Sequence, residues 1–196
     1  MRVHLSVHVG SLVDSALGAR AIVNASNPHV GLGSGVSGAI REACGGHSFQ
    51  EEVRGAWEAE FDEPLQPGDC LVTSAGTATA FRWVLHVPAV DYKVRDPETG
   101  GSSGPTRVRA CAASAVMEAL TLASELRSDT DSPFVLGMPL LGAGHGGLGE
   151  VASIRAIMQA LASVDVDAAL SWVLVVRFAV LEERIAALVG WAVEAR

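Results

Sequence analysis

The sequence predicts an α/β protein built in three layers, α/β/α, around a mixed and largely parallel central sheet. Three observations carry that expectation. Short apolar runs of strand length alternate with longer stretches of helical period along the chain. The run from Trp83 to Val90 is apolar almost without interruption, as expected of a strand covered on both faces. Two glycine-dense stretches, 33–38 and 140–149, each follow an apolar run and open a helical pattern. In such sheets, junctions of that kind lie at the carboxyl edge, where ligands bind.

Met1 to Val9 alternates Val3, Leu5, Val7 and Val9 with Arg2, His4, Ser6 and His8, which reads as an edge or half-buried strand with both histidines on its exposed face. Ser11 to Gly18 reads as a polar connection, and Ala21 to Ala25 as a buried strand. The first helix spans Ser34 to Cys44 and stops at Gly45-Gly46, a C-cap pattern. Ser48 with Glu51 forms a capping box for a second helix reaching Phe61, with Val53, Ala56, Trp57 and Phe61 on its apolar side. Pro64 to Asp69 is a turn, Cys70 to Thr73 a short strand and Trp83 to Val90 a central one. Residues 93–105 have the composition of a mobile surface loop. A third helix covers Thr106 to Leu126, with strands at Phe134 to Met138 and Trp172 to Ala179, and helices at Glu150 to Ser163 and Glu182 to Glu194.

At 196 residues the chain can bury a sizeable core, and one domain over 1–196 is expected. The formal net charge of −8 works against a duplex nucleic acid as partner. It does not oppose a small anion held by backbone amides, which needs no Lys or Arg. Cys44, Cys70 and Cys111 are odd in number and widely spaced, as in a reduced, cytoplasmic protein, and each reads as a small buried hydrophobe. The six histidines are scattered, so no metal site is expected. No leader is visible, and Arg177, Glu182, Glu183 and Arg184 interrupt the most apolar late stretch, so no membrane association is expected. Oligomeric state is not readable.

The chemistry concentrates in residues 20–45. The strand ending in Asn24, the second asparagine Asn27 and the glycines that follow lead directly into a helix. A helix N-terminus directs unpaired N–H groups and the positive end of its dipole at one spot, and glycines let a ligand reach the main chain. The expected ligand is an anion, phosphate above all. The stretch Leu140 to Gly149 repeats this logic and adds His145, the one titratable side chain in either loop.

Ile22-Val23-Asn24-Ala25-Ser26-Asn27 followed by Gly33-Ser34-Gly35-Val36-Ser37-Gly38 resembles the signature of the macrodomain family. Weaker likeness extends to Gly10-Ser11-Leu12, to Pro67-Gly68-Asp69 with Val72-Thr73, to Val84-Leu85-His86, and to Met138-Pro139-Leu140-Leu141-Gly142-Ala143-Gly144. The resemblance implies a macrodomain-like fold that binds ADP-ribose or an ADP-ribosylated protein, with no further cofactor. It implies a binding set of Ser11, Leu12, Asn24, Asn27, Gly33, Ser34, Gly35, Val36, Ser37, Gly142, Ala143, Gly144, His145 and Gly146. The diphosphate would lie between the two loops, and Asn27 would meet the distal ribose. Any catalytic role would fall to Asn27 and His145.

Three positions depart from the family pattern. Ser11 replaces the Asp that bonds the adenine amino group, Gly146 stands where an aromatic covers the ribose, and Ser37 replaces the Asp that orients water in hydrolytic members. Binding survives such losses more easily than catalysis. An ADP-ribosyl or O-acetyl-ADP-ribose hydrolase of the same fold, and an interaction module that has lost its nucleotide, remain rival readings. So does an NAD-dependent Rossmann oxidoreductase, since Gly33 to Gly38 also satisfies Gly-x-Gly-x-x-Gly. That fold requires a second strand ending in an acidic residue about twenty residues on, where a helix is expected here. Gly35 reads as a turn glycine that tolerates a side chain.

Overall fold

The computed structural model describes residues 2–126, 132–164 and 173–194. Six strands form one sheet: β1 (Arg2–Val9), β2 (Ala21–Ala25), β3 (Leu71–Ser74), β4 (Trp83–Val87), β5 (Phe134–Met138) and β6 (Val173–Val180). Their order across the sheet is β1-β6-β5-β2-β4-β3. Every neighbouring pair is parallel except β3 with β4, so the sheet is mixed and largely parallel. Five helices cover it: α1 (Gly35–Cys44), α2 (His47–Glu60), α3 (Pro105–Glu125), α4 (Glu150–Ser163) and α5 (Glu183–Glu194). The order differs from the 3-2-1-4-5-6 of a dinucleotide-binding Rossmann sheet, and after β2 the chain makes two helices and then an antiparallel strand.

Two apolar clusters lie on opposite faces of the sheet and make the three layers. One joins Val23, Leu85, Leu136 and Leu174 to Val108, Ala112 and Ala115 of α3, Ile157 of α4 and Val189 of α5. The other packs Ile22, Val84 and Leu71 against Ile40 and Cys44 of α1 and Phe49 and Val53 of α2. Alternate residues of the central strands feed opposite clusters, so both faces are covered and the strands read as continuous apolar runs. The sheet's parallel strands all end on one edge, and the segments after β2, β4 and β5 meet there.

Several sequence expectations change. In β1 the alternation fails at its end: His8 is half-buried, whereas Val9 is 41% exposed. Met1 and Trp172, assigned to the first and last strands, lie outside the described residues. The connection Ser11 to Gly18 is not simply polar, because Leu12 and Leu17 enter the core and Asp14 caps a 3-10 turn at Ser15–Leu17. The Ser48/Glu51 capping box does not form. Gly46, at φ 68°, takes the N-cap position and α2 begins at His47, with Phe49 wholly buried. Tertiary burial of that ring sets the helix start.

The loop of 93–105 is tied down at its far end. Ser103 and Gly104 are buried, Ser103 Oγ donates to the Ala89 carbonyl at 2.6 Å, and Asp91 N donates to the Ser102 carbonyl at 2.7 Å. Its composition signalled turns, but each turn is held by a local acceptor. Asp96 Oδ1 takes the N–H groups of Glu98 and Thr99, both at 3.0 Å.

Candidate functional site

At the carboxyl end of β2 the two asparagines part. Asn24 is completely buried, with Nδ2 3.0 Å from His86 Nδ1 on the adjoining β4 and Oδ1 accepting from Ser37 Oγ at 2.7 Å. Its side chain is committed inside the protein. Asn27 shapes the next loop: Oδ1 accepts from the N–H groups of His29 and Gly31, and Nδ2 donates to the Gly31 carbonyl at 3.1 Å. These bonds fold residues 27–31 back on themselves, with Val30 at φ 50° and fully buried. One face of Asn27 still borders open space.

The chain then reaches α1 by an open route. Gly33, Ser34, Gly35 and Val36 are exposed, and Ser34 is an extended N-cap whose side chain makes no capping bond. Among the described residues, none accepts a hydrogen bond from the backbone N–H groups of Gly33 to Ser37. Five consecutive donors that the described residues leave without an acceptor at a helix N-terminus have the chemistry to hold an anion. Gly35 has φ 60°, so it does not tolerate a side chain in the way the sequence suggested. At Gly33, by contrast, an added Cβ would meet nothing within 4 Å.

The second loop is packed from within. Gly142, at φ 71°, leaves no room for a Cβ, which would run into Ser103, and a Cβ on Gly146 would run into the Gly142 carbonyl. Leu148 N donates to the Gly142 carbonyl, Gly149 N to that of Ala143, and Ser102 N to that of Gly146. Gly142 and Gly146 are buried, so these glycines serve closeness rather than access. His145 is the part that projects, its ring 3.6 Å from where a Cβ of Gly35 would stand. The two loops therefore meet at Gly35 and His145.

Between them lies a hollow of about 240 Å³ lined by Ala25, Asn27, Gly31, Gly33, Ser34, Ser37, Val90, Tyr92 and His145. Of the fourteen residues expected from the sequence, Asn27, Gly33, Ser34, Ser37 and His145 line it. Ser11, Leu12, Asn24, Gly35, Val36, Gly142, Ala143, Gly144 and Gly146 do not, and Leu12 is a core residue. Sequence reasoning missed Ala25 and Gly31, beside Asn27, and Val90 and Tyr92, which follow β4. The available signal was topological: a strand paired in parallel with β2 must end beside it. Tyr92 is the only tyrosine of the chain and is 61% exposed.

The lining contains no Asp, Glu, Lys or Arg, so attraction of an anion falls to backbone dipoles. A neighbouring hollow of about 320 Å³ shares Asn27 and Tyr92 and carries the cations, Lys93 and the Arg107 that pairs with Asp91 at 3.7 Å. A third, about 410 Å³, is lined only by α4 and α5 residues and has no such convergence of polar groups.

Burial pushes the thiols of Cys44 and Cys111 up to about 12 and raises that of Cys70, so all three stay protonated and none is a nucleophile near neutral pH. Burial also lowers the pKa of His86 to about 3, which keeps its ring neutral. Among the described residues no cluster of His, Cys, Asp and Glu could hold a metal, and no helix is long and apolar enough to cross a membrane.

A family model described as Macro domain matches residues 23–157. A protein of Aeropyrum pernix, described only as uncharacterized, is 34% identical over 144 residues, 74% of this chain and 63% of that protein. The chain thus spans less than two thirds of that relative's length. Among solved structures, a mutant Oceanobacillus iheyensis macrodomain with ADPR superposes with a TM-score of 0.74 at 18% identity, covering 97% of this chain and 92% of the other. A Trypanosoma brucei macrodomain in complex with ADP-ribose gives 0.63 at 23% identity, covering 97% and 69%. At these identities the likeness establishes the fold.

Proposed function

This chain belongs to the macro domain family, and from that premise we propose that it binds ADP-ribose, free or attached to a protein, at the carboxyl edge of its sheet. The observation that carries the reading is the run of N–H groups from Gly33 to Ser37 at the start of α1 that have no acceptor among the described residues, with Gly33, Ser34 and Ser37 lining the hollow together with His145. A diphosphate there would accept from the backbone and lie along the positive end of the helix, with no side-chain cation required. The solved macrodomains with ADPR and ADP-ribose support the ligand's identity.

The hollow is smaller than the ~300–1,000 Å³ of ordinary small-molecule sites. It would therefore take the diphosphate and one sugar, leaving the base to run along the edge toward Ser11 and Leu12. Ser11 Oγ there already accepts from Val13 N, at 3.4 Å. Binding rather than hydrolysis is the reading that the lining supports, because no carboxylate borders the hollow to activate water and the Ser37 proton is directed inward. Three free cysteines among the described residues fit a cytoplasmic setting.

Calorimetry with ADP-ribose and with NADH tests the proposal. ADP-ribose should bind and, at a hundred times its Kd, add about 2.7 kcal/mol to stability. Tight NADH binding with no heat from millimolar ADP-ribose would overturn it.

A further inference from the structure

Four buried polar side chains run in series from β3 to the wall of the hollow. Thr73 Oγ1 lies 3.0 Å from His86 Nε2, His86 Nδ1 lies 3.0 Å from Asn24 Nδ2, and Asn24 Oδ1 lies 2.7 Å from Ser37 Oγ. None of the four residues is more than 8% exposed. A buried polar run is costly unless each donor meets an acceptor, so the inventory of protons gives the run a direction.

Thr73 Oγ1 donates its single proton to the Ser74 carbonyl at 3.0 Å, which leaves it an acceptor toward His86. The neutral ring then carries its proton on Nε2 and offers Nδ1 as an acceptor. Asn24 fills Nδ1 with its amide N–H, which turns Oδ1 toward Ser37. Both oxygens beside Ser37 Oγ, Asn24 Oδ1 and the Ala25 carbonyl at 3.3 Å, are acceptors, so the Ser37 proton points inward. What Ser37 shows the hollow is a lone pair.

We propose that Ser37 Oγ is a fixed acceptor that selects a ligand hydroxyl and turns phosphate away, and that His86 is the positioning residue that sets this polarity. The proposal rests on the ADP-ribose reading of the same hollow. A ribose hydroxyl can donate to Ser37, whereas an ionised phosphate oxygen offers only lone pairs and is repelled. Phosphate is left to the backbone N–H groups of Gly33 to Ser37 and the sugar beyond it to Ser37 Oγ. The ligand therefore enters in one direction, and a nucleotide ending at its diphosphate leaves Ser37 without a partner.

The tautomer is read directly by nitrogen-15 NMR of the histidine rings, with His86→Gln assigning the signal. The expected result is a neutral ring protonated on Nε2, and protonation on Nδ1 would overturn the proposal. Calorimetry then compares ADP-ribose with ADP. Ser37→Ala should weaken ADP-ribose about tenfold, the scale of one hydrogen bond, and leave ADP unchanged. Equal losses for both, or none, would contradict hydroxyl selection. Thr73→Val, which touches no ligand, should move the proton to Nδ1 and weaken ADP-ribose by a similar factor. An unchanged tautomer and affinity in a folded Thr73→Val protein would remove His86 from the account. Wild type that binds neither nucleotide would instead defeat the ADP-ribose reading and hydroxyl selection with it, while the ring tautomer still decides the direction of the run.

Discussion

The two glycine loops look alike in sequence and differ in what their glycines do. In the first, Gly33 faces open space and the N–H groups of Gly33 to Ser37 have no partner among the described residues. In the second, Gly142 and Gly146 are buried, each packed too closely for a Cβ, and together they clamp the 101–104 segment to the turn. One loop leaves its backbone open. The other spends its glycines on packing, and holds the far wall with His145 projecting from it. Glycine density marks close approach of backbone to something, and only the fold tells whether that something is a ligand or another strand of the same chain.

The comparison breaks most visibly at Gly142. Gly142→Ala forces a Cβ into a left-handed residue and against Ser103 Oγ, a combination that should cost about 2–5 kcal/mol. For a chain of this length thermal melting should then fall by about 5–15 °C. A variant that melts like wild type would show the second loop to be as open as the first.

A second difference is that the first loop alone hangs on a titratable support, through Ser37 and Asn24 to His86. The folded pKa of His86, about 3, lies below the ~6.5 of an unfolded chain. Its contribution is therefore complete above pH 6.5 and lost as pH falls toward 3, at up to about 1.4 kcal/mol per pH unit. Denaturant unfolding across that window should show a steeper acid loss for wild type than for His86→Gln. Parallel curves would mean that the ring can be protonated without disturbing the fold.

Gly33→Glu sharpens the contrast from the ligand's side. The position has room and an ordinary φ, so stability should hold within about 1 kcal/mol. A carboxylate beside the free N–H groups would compete with phosphate and repel it, and ADP-ribose affinity should fall at least about a hundredfold. Normal affinity in the folded variant would move the phosphate away from this loop.

Much of the fold was legible because its signals are local. Ala21–Ala25, Phe134–Met138 and Glu150–Ser163 have the bounds that apolar runs and periodicity suggest. The start of α2 was not, because burying Phe49 outweighs a capping box that offers two surface hydrogen bonds. At the site, the open N-terminus of α1 could be read from its glycines, and Asn27 and His145 do border the hollow. The inward turn of Asn24 could not, since its partner His86 is 62 residues away and only the β2–β4 register brings them side by side. Tyr92 escaped for the same reason: its place depends on which strand follows which across the sheet.

The most direct test of the open first loop is amide chemical-shift mapping while ADP-ribose is added to nitrogen-15-labelled protein. The N–H signals of Gly33 to Ser37 should move furthest and downfield as they gain a phosphate acceptor, while those of Gly142 and Leu148, already locked in packing, should move little. Shifts centred on Gly142 to Leu148 with Gly33 to Ser37 unmoved, or no shifts at millimolar ADP-ribose, would contradict the account.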